Sequence, residues 1–434
     1  MNVVPDDSEA LHAVITIIHR HKATTIVLEP EHISIDPVQI AHIQAFLNCG
    51  SSGSGLMCSE AGSLLVGSKY TGSCGSKTPM KPSTTCSTIA RGLAVLCIAG
   101  SGQVSGEDSI NALVWCDHTD PEFIQPFEKA NNVRVNLKEF EGTGAALSIL
   151  EQSRPGDWDV MIIDGVDVPG LVDQGLLASI PEEALPLDDL WPEVVLADYH
   201  KHDGQWFGMT ELFGYNTIAY NKNNVDVNDM LDMTTLWSGK YKDRIAVYDW
   251  HTPMIGLVSL GIGKKTAELS ESDLPEIRDT LFKLKENTAQ FTDVVASQTA
   301  LATGEVDILF GGGEWLTGVL SSEMPELDWV LPEQGGLMWS QSVTMLADAA
   351  NPDMALKFVQ YILSPEGQAA LATSSCYWAM PANVKTGDVL TDEQKSTLRW
   401  NQQAEYLANS QRYPSFSVEL DEKMEDLWIE MQQQ

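Results

Sequence analysis

Residues 335–383, GGLMWSQSVTMLADAANPDMALKFVQYILSPEGQAALATSSCYWAMPAN, decide how this chain is read. Residues 339–346 mix polar and apolar positions as a strand entering a sheet does. Asn351-Pro352-Asp353 opens a helix, with proline where a missing N–H costs nothing. Ala355, Phe358, Val359, Ile362 and Leu363 then recur at helical spacing and make one apolar face. Ser364-Pro365-Glu366 repeats the start signal: a side-chain cap, a first-turn proline, and an acid at the positive helix end. The segment therefore reads strand, helix, turn, helix and return strand.

Working outward, Trp339 and the run Leu363-Ser364-Pro365-Glu366-Gly367-Gln368-Ala369 resemble the late segment of the spermidine/putrescine-binding branch of bacterial extracellular solute-binding proteins. That family places a cleft tryptophan two residues before an acid; here Gln341 stands in the acid's place. Leu236 to Lys242 and the stretch around Gly214 and Tyr220 resemble it too. The resemblance covers roughly three quarters of the chain and leaves out the first hundred residues. It implies a two-lobed α/β fold of the periplasmic-binding-protein kind. Each lobe would be a mainly parallel sheet flanked by helices, joined by crossover hinge segments.

With 434 residues, 43% of them hydrophobic, the chain can bury a large core. Its formal charge of −35 excludes a general binder of nucleic acid or anionic membrane and favours cationic ligands. Five of the seven cysteines precede residue 100, and no Cys-x-x-Cys or zinc-type Cys/His spacing occurs.

Residues 1–79 read as an extension without domain character; the apolar run 13–18 is too short to span a bilayer. Met80 begins a secretory signal: Lys81 and Arg91 flank an apolar core at 93–99, with small residues after it. Cys97 follows Ala94-Val95-Leu96, a poor lipoprotein signal, so cleavage is expected between Gly100 and Glu107. The other reading is a cytosolic extension before an internal anchor.

Beyond the signal (80–106), strands at 111–115, 132–140 and 157–164 alternate with helices starting at 121, 145 and 168, which implies right-handed βαβ units. A crossing is expected at 211–222, then a strand at 244–248 and a helix at 274–285 with Asp273 and Glu276 as a capping box. A strand at 306–310 and a mostly helical stretch at 390–434 complete the pattern. The boundaries are 107–213 with 340–381 for the first lobe, and 214–339 with 382–434 for the second.

Ligands in doubly wound sheets sit beyond the carboxyl ends of strands. Five strand ends therefore nominate a site: Asp117, His118, Thr119 and Asp120; Asp164; Asp249 and Trp250; Phe310 and Glu314; Trp339 and Gln341. Any one acid reads equally as a helix cap, but four acidic strand ends converging would hold a cation through charge-assisted bonds. Each aromatic face would add roughly 0.5–2 kcal/mol. By resemblance, Trp339, Phe310 and Asp249 match cleft positions of the family, although Trp339 also reads as a core residue. Relatives carry aromatics after the first strand where this chain has Cys116 to Asp120, and the second acid after Asp249 is replaced by Thr252-Pro253. A long diamine needs acids at both ends, so an amino-acid-derived or other amine-bearing zwitterion stays open beside a polyamine.

Gly142-Thr143-Gly144 opens a helix, either capped by Thr143 or offering N–H groups to a carboxylate. Gly311 to Gly313 lacks the Lys-Ser/Thr of a phosphate loop. Neither Gly-x-Ser-x-Gly nor His-Glu-x-x-His occurs. The remaining enzyme reading is a metal centre at His118 and His251 with Asp117, Asp249 or Glu314. The expectation is a monomeric periplasmic binding protein, without cofactor or catalytic residue, that captures a small cationic or zwitterionic solute for an ABC permease in the inner membrane. From the family's return segment, which runs near the cleft side of the first lobe, Cys116 and Cys376 are neighbours; they form either a disulfide or two buried thiols.

Overall fold

A computed structural model of the chain describes residues 13–19 and 22–28 as backbone, and residues 108–433. The expected signal peptide and its cleavage region lie outside the described residues. The chain separates into two compact units, 1–99 and 100–434. In the first, Ala13–His19 and Lys22–Leu28 pair as an antiparallel hairpin with Ala13 opposite Leu28. The sequence reading assigned no element there, although both runs are rich in β-branched residues and separated by two residues, which is hairpin spacing.

The second unit is organised by two long strands. We number the strands of its main sheet path β1 (Asp108–Val114), β2 (Val133–Glu139), β3 (Val160–Asp164), β4 (Gly208–Asn221), β5 (Ile245–Tyr248), β6 (Thr288–Thr292), β7 (Ile308–Gly312) and β8 (Gly336–Leu346). Their spatial order is β6-β5-β7-β4-β8-β3-β1-β2. The long strands β4 and β8 run antiparallel, from Leu337 opposite Asn216 to Thr344 opposite Gly208, with a register shift between Gln341 and Ser342. On one flank β5 is parallel to β6 and β7; on the other β1 is parallel to β2 and β3. Two parallel half-sheets thus hang on a shared antiparallel pair. Every residue of β3 and β8, and all but the last of β4, is buried. Only β3 reads as an apolar run; β4 and β8 bury polar side chains as well, among them Glu211, Asn216, Ser340 and Gln341.

The helices follow the start signals. Pro121–Asn131 is capped by Asp120, whose carboxylate accepts from Glu122 N, and it ends at Asn132 in the left-handed region. Asn351 caps Pro352–Ile362 and Ser364 caps Pro365–Ala372. Ala355, Phe358, Val359 and Ile362 are the buried stripe, the larger ones contributing roughly 1.5–3 kcal/mol each. The expected capping box at Asp273 is displaced: Ser270 and Asp273 form it on the preceding 3-10 turn, and Asp273 makes no cap bond to helix Leu274–Asn287. Val418–Gln433 packs on His251–Gly261 and Leu274–Asn287, whereas Val384–Asp388 packs on Pro365–Ala372.

Candidate functional site

The carboxyl ends of β1, β3, β5 and β7 and the interiors of β4 and β8 surround one cleft, with an empty volume of about 470 Å³ counted to its open mouth. Trp115 follows β1, Asp164 ends β3 and Tyr248 ends β5. Trp250 stands at the N-terminus of helix His251–Gly261 and Trp315 in helix Glu314–Leu320 after β7. Asn216 comes from β4, Trp339 and Gln341 from β8, and Val294, Tyr377 and Tyr413 complete the lining.

Seven of these eleven side chains are aromatic. Trp115 stacks on Trp250 at 6.4 Å between centroids, and Trp250 meets Tyr248 and Tyr413 edge-on at 6.2 and 5.8 Å. Tyr248 continues to Trp315 at 5.7 Å, and Trp339 meets Tyr377 edge-on at 6.3 Å. Gly214 makes room for Trp339, because a Cβ there would overlap its ring and the Glu314 carboxylate.

Asp164 is the one carboxylate of the lining. It is 5% exposed, and its Oδ2 has no hydrogen-bond partner. Burial first, and the Asp167 charge second, push its carboxyl well above the usual range. An unpaired charge in an apolar site is costly, so burial favours the protonated form of this group. A bound cation would reverse that balance.

Behind the cleft lies a second acidic cluster, held together by a shared histidine. His118 Nδ1 is 2.8 Å from Asp117 Oδ1, and its Nε2 lies 3.1 Å from Glu211; all three side chains are fully buried. Burial alone would lower the imidazole's pKa, but the charges of Asp117 and Glu211 together raise it to about 10. Burial raises the Glu211 carboxyl, partly offset by His118. The cluster reaches the lining through Gln341, whose Nε2 is 3.5 Å from Asp117 Oδ1 and whose Oε1 accepts from Tyr377 OH at 3.0 Å.

The nominated residues divide accordingly. Asp164, Trp250, Trp339 and Gln341 line the cleft. Asp117 and His118 do not, being enclosed with Glu211. Thr119 is exposed, its hydroxyl donating to Cys116 O, and Asp120 is a helix cap that also accepts from Ser375 N. Asp249 is exposed and accepts from Trp428 Nε1 and Gln432 Nε2, so helix Val418–Gln433 takes it away from the cleft. Phe310 is fully buried core. Glu314 is buried and accepts from Tyr215 N at 2.8 Å, and burial raises its pKa to about 8. His118 and His251 have separate carboxylate partners, the latter Asp421 at 3.0 Å. Among the described residues no group of three or more His, Cys, Asp or Glu is arranged to hold a metal ion. Thr143 does not cap its helix: its hydroxyl donates to Asp167. Cys116 and Cys376 are joined in a disulfide with Cα atoms 6.0 Å apart.

Trp115 and Tyr248 were missed although each directly borders a nominated turn. Trp115 supplies an aromatic that the turn at 116–120 lacks. Trp315, two residues beyond the Gly311 to Gly313 run, carried the same positional signal. Asn216, Val294, Tyr377 and Tyr413 arrive from elements whose local pattern says nothing about a cleft.

Residues 122–397 match the family described as bacterial extracellular solute-binding protein. The chain is 22% identical over 263 residues to spermidine/putrescine-binding periplasmic protein 1 of Haemophilus influenzae, spanning 60% of this chain and 71% of that one. It is 24% identical over 293 residues to the putrescine/agmatine-binding protein of Pseudomonas aeruginosa, spanning 64% and 78%. The solved spermidine/putrescine ABC transporter substrate-binding protein of Streptococcus pneumoniae superposes with a TM-score of 0.64 at 20% identity, covering 75% of this chain and 99% of that one. The fold is thus that of the two-lobed periplasmic binding proteins.

Proposed function

Because the chain belongs to the bacterial extracellular solute-binding proteins, we propose that it is the substrate-binding component of an ABC importer and captures a small organic cation of the polyamine class. The observation that carries this reading is Asp164: a buried carboxylate with an unpartnered oxygen, set among seven aromatic side chains. An ammonium there supplies the counter-charge that Asp164 lacks and meets the faces of the surrounding rings. Trp250, Trp339 and Gln341 are the other nominated residues assigned to ligand contact. Two relatives are named for spermidine, putrescine or agmatine binding, which supports the amine class.

In this reading the protein is a monomer, not an enzyme. It is exported by a signal starting at Met80, cleaved between Gly100 and Glu107, and works in the periplasm with an inner-membrane permease. The lobes, 107–213 with 340–381 and 214–339 with 382–434, close about the two long strands, and the permease reads closure as loading. The test is a melting-temperature screen of the protein in chelator with putrescine, spermidine and anionic controls. The expected result is a rise with amine concentration that chelator does not alter. A shift that requires a metal, or no shift with any amine, contradicts the reading.

A further inference from the structure

The polar groups of the cleft are of two kinds. Asn216 is engaged by protein: its Nδ2 donates to Gly311 O at 2.8 Å and its Oδ1 accepts from Tyr413 OH. Gln341 is engaged by Tyr377 and Asp117. Three buried atoms of lining residues have no partner at all: the acceptor Asp164 Oδ2, and the indole N–H donors of Trp115 and Trp315. Buried polar groups are rarely left unpaired, and in a binding cleft a ligand can supply the missing partner. One acceptor and two donors call for a ligand that donates at one end and accepts at another.

A simple α,ω-diamine does not answer that pattern. Both of its ends are donors at neutral pH, so it can satisfy Asp164 but neither indole. Its second ammonium would also lose water without a counter-charge. The carboxylates whose charges reach Tyr248 from outside the lining are Glu141, Asp293 and Asp249. Each is exposed and engaged: Asp293 caps its helix through Ala296 N, Glu141 takes the backbone N–H of Val294, and Asp249 holds Trp428 and Gln432. An anionic far end is unsupported too, since no Lys or Arg lines the cleft. Arg412 borders a smaller recess that shares Asp164 and Tyr413, and both of its contacts at 2.9 Å go to the Asp198 carboxylate.

We infer that the ligand carries a single cationic nitrogen, held at Asp164, and a neutral oxygen acceptor at its other end, held by the indoles of Trp115 and Trp315: a monoacylated diamine. This rests on the amine-binding reading above and narrows it. Calorimetric titration of the wild-type protein with putrescine and with N-acetylputrescine tests it. The expected result is tighter binding of the acetylated amine by about tenfold or more. Trp115→Phe and Trp315→Phe should each lower affinity for N-acetylputrescine by about fivefold, and lower it more than for putrescine. Putrescine binding equally or more tightly overturns the inference while leaving the amine reading intact. If Glu141→Gln then removes putrescine's advantage, the second ammonium sits at the mouth instead. Binding of neither compound, nor of any other amine, overturns the amine reading and this inference together.

Discussion

Asp164 and the Asp117–His118–Glu211 cluster are both acidic, both buried, and both sit at or beside strand ends around one cleft. They differ in what surrounds them. Asp117 and Glu211 share an imidazolium that their own charges create, and the group reaches the cleft through Gln341 and Tyr377. Asp164 is governed by its burial and then by the like charge of Asp167, with aromatic faces for walls. The difference teaches that an acid's burial does not say whether it serves the fold or a ligand; its partner list does. A cluster whose carboxylates already share a buried imidazolium has less to offer a solute.

The largest expected effect is on the closed side. Cys116 directly precedes Asp117 and Cys376 directly precedes Tyr377, so their disulfide ties the segment of Asp117 and His118 to that of the cleft tyrosine. Replacing both cysteines with serine should cost about 4–5 kcal/mol of stability on the chain-entropy model, measured by denaturant unfolding. A loss near zero would detach the bridge from the account. His118→Ala should cost about 3–5 kcal/mol, because it leaves two carboxylates buried without their cation. An unchanged unfolding midpoint would show that the cluster is not charged as described.

The same cluster sets a pH dependence. His118 is raised to about 10 and Glu211 is also raised, so the folded state binds more protons than the unfolded one. The imidazole's contribution is complete below its unfolded value of about 6.5 and is lost as pH climbs toward 10. Melting temperature should therefore fall across that window in the wild-type protein and fall less in His118→Asn. Equal slopes would contradict the charged imidazole.

Smaller effects belong to the open side. Trp339→Ala should weaken amine binding by about 1–3 kcal/mol, read by titration; lost stability with unchanged affinity would assign that ring to the core. Asp249→Asn should change affinity by less than about 0.5 kcal/mol, because Trp428 and Gln432 already occupy it. A large loss would return Asp249 to the cleft.

Much of the scaffold was legible in the sequence. The starts at Pro121, Pro352 and Pro365 carry local chemistry, a cap and a proline, that does not depend on the rest of the chain. Strand ends are equally local, which is why Asp164 and Trp250 were nominated; Trp339 and Gln341, nominated beside them, lie inside β8. What was not legible is pairing at a distance. Nothing near Asp249 announces Trp428, and nothing near Asp117 announces Glu211, which lies 93 residues beyond the His118 that joins them. The capping box slipped three residues because Ser270 competes with the helix for Asp273.

The most direct test of the account is the affinity of Asp164→Asn for an amine that the wild-type protein binds, measured by calorimetry beside the melting temperature of both empty proteins. Asparagine keeps the shape and removes the charge. The account predicts a loss of about 2–5 kcal/mol in binding, with the empty variant melting no lower than wild type, since a costly buried acid has been removed. Undiminished affinity in the variant would contradict it.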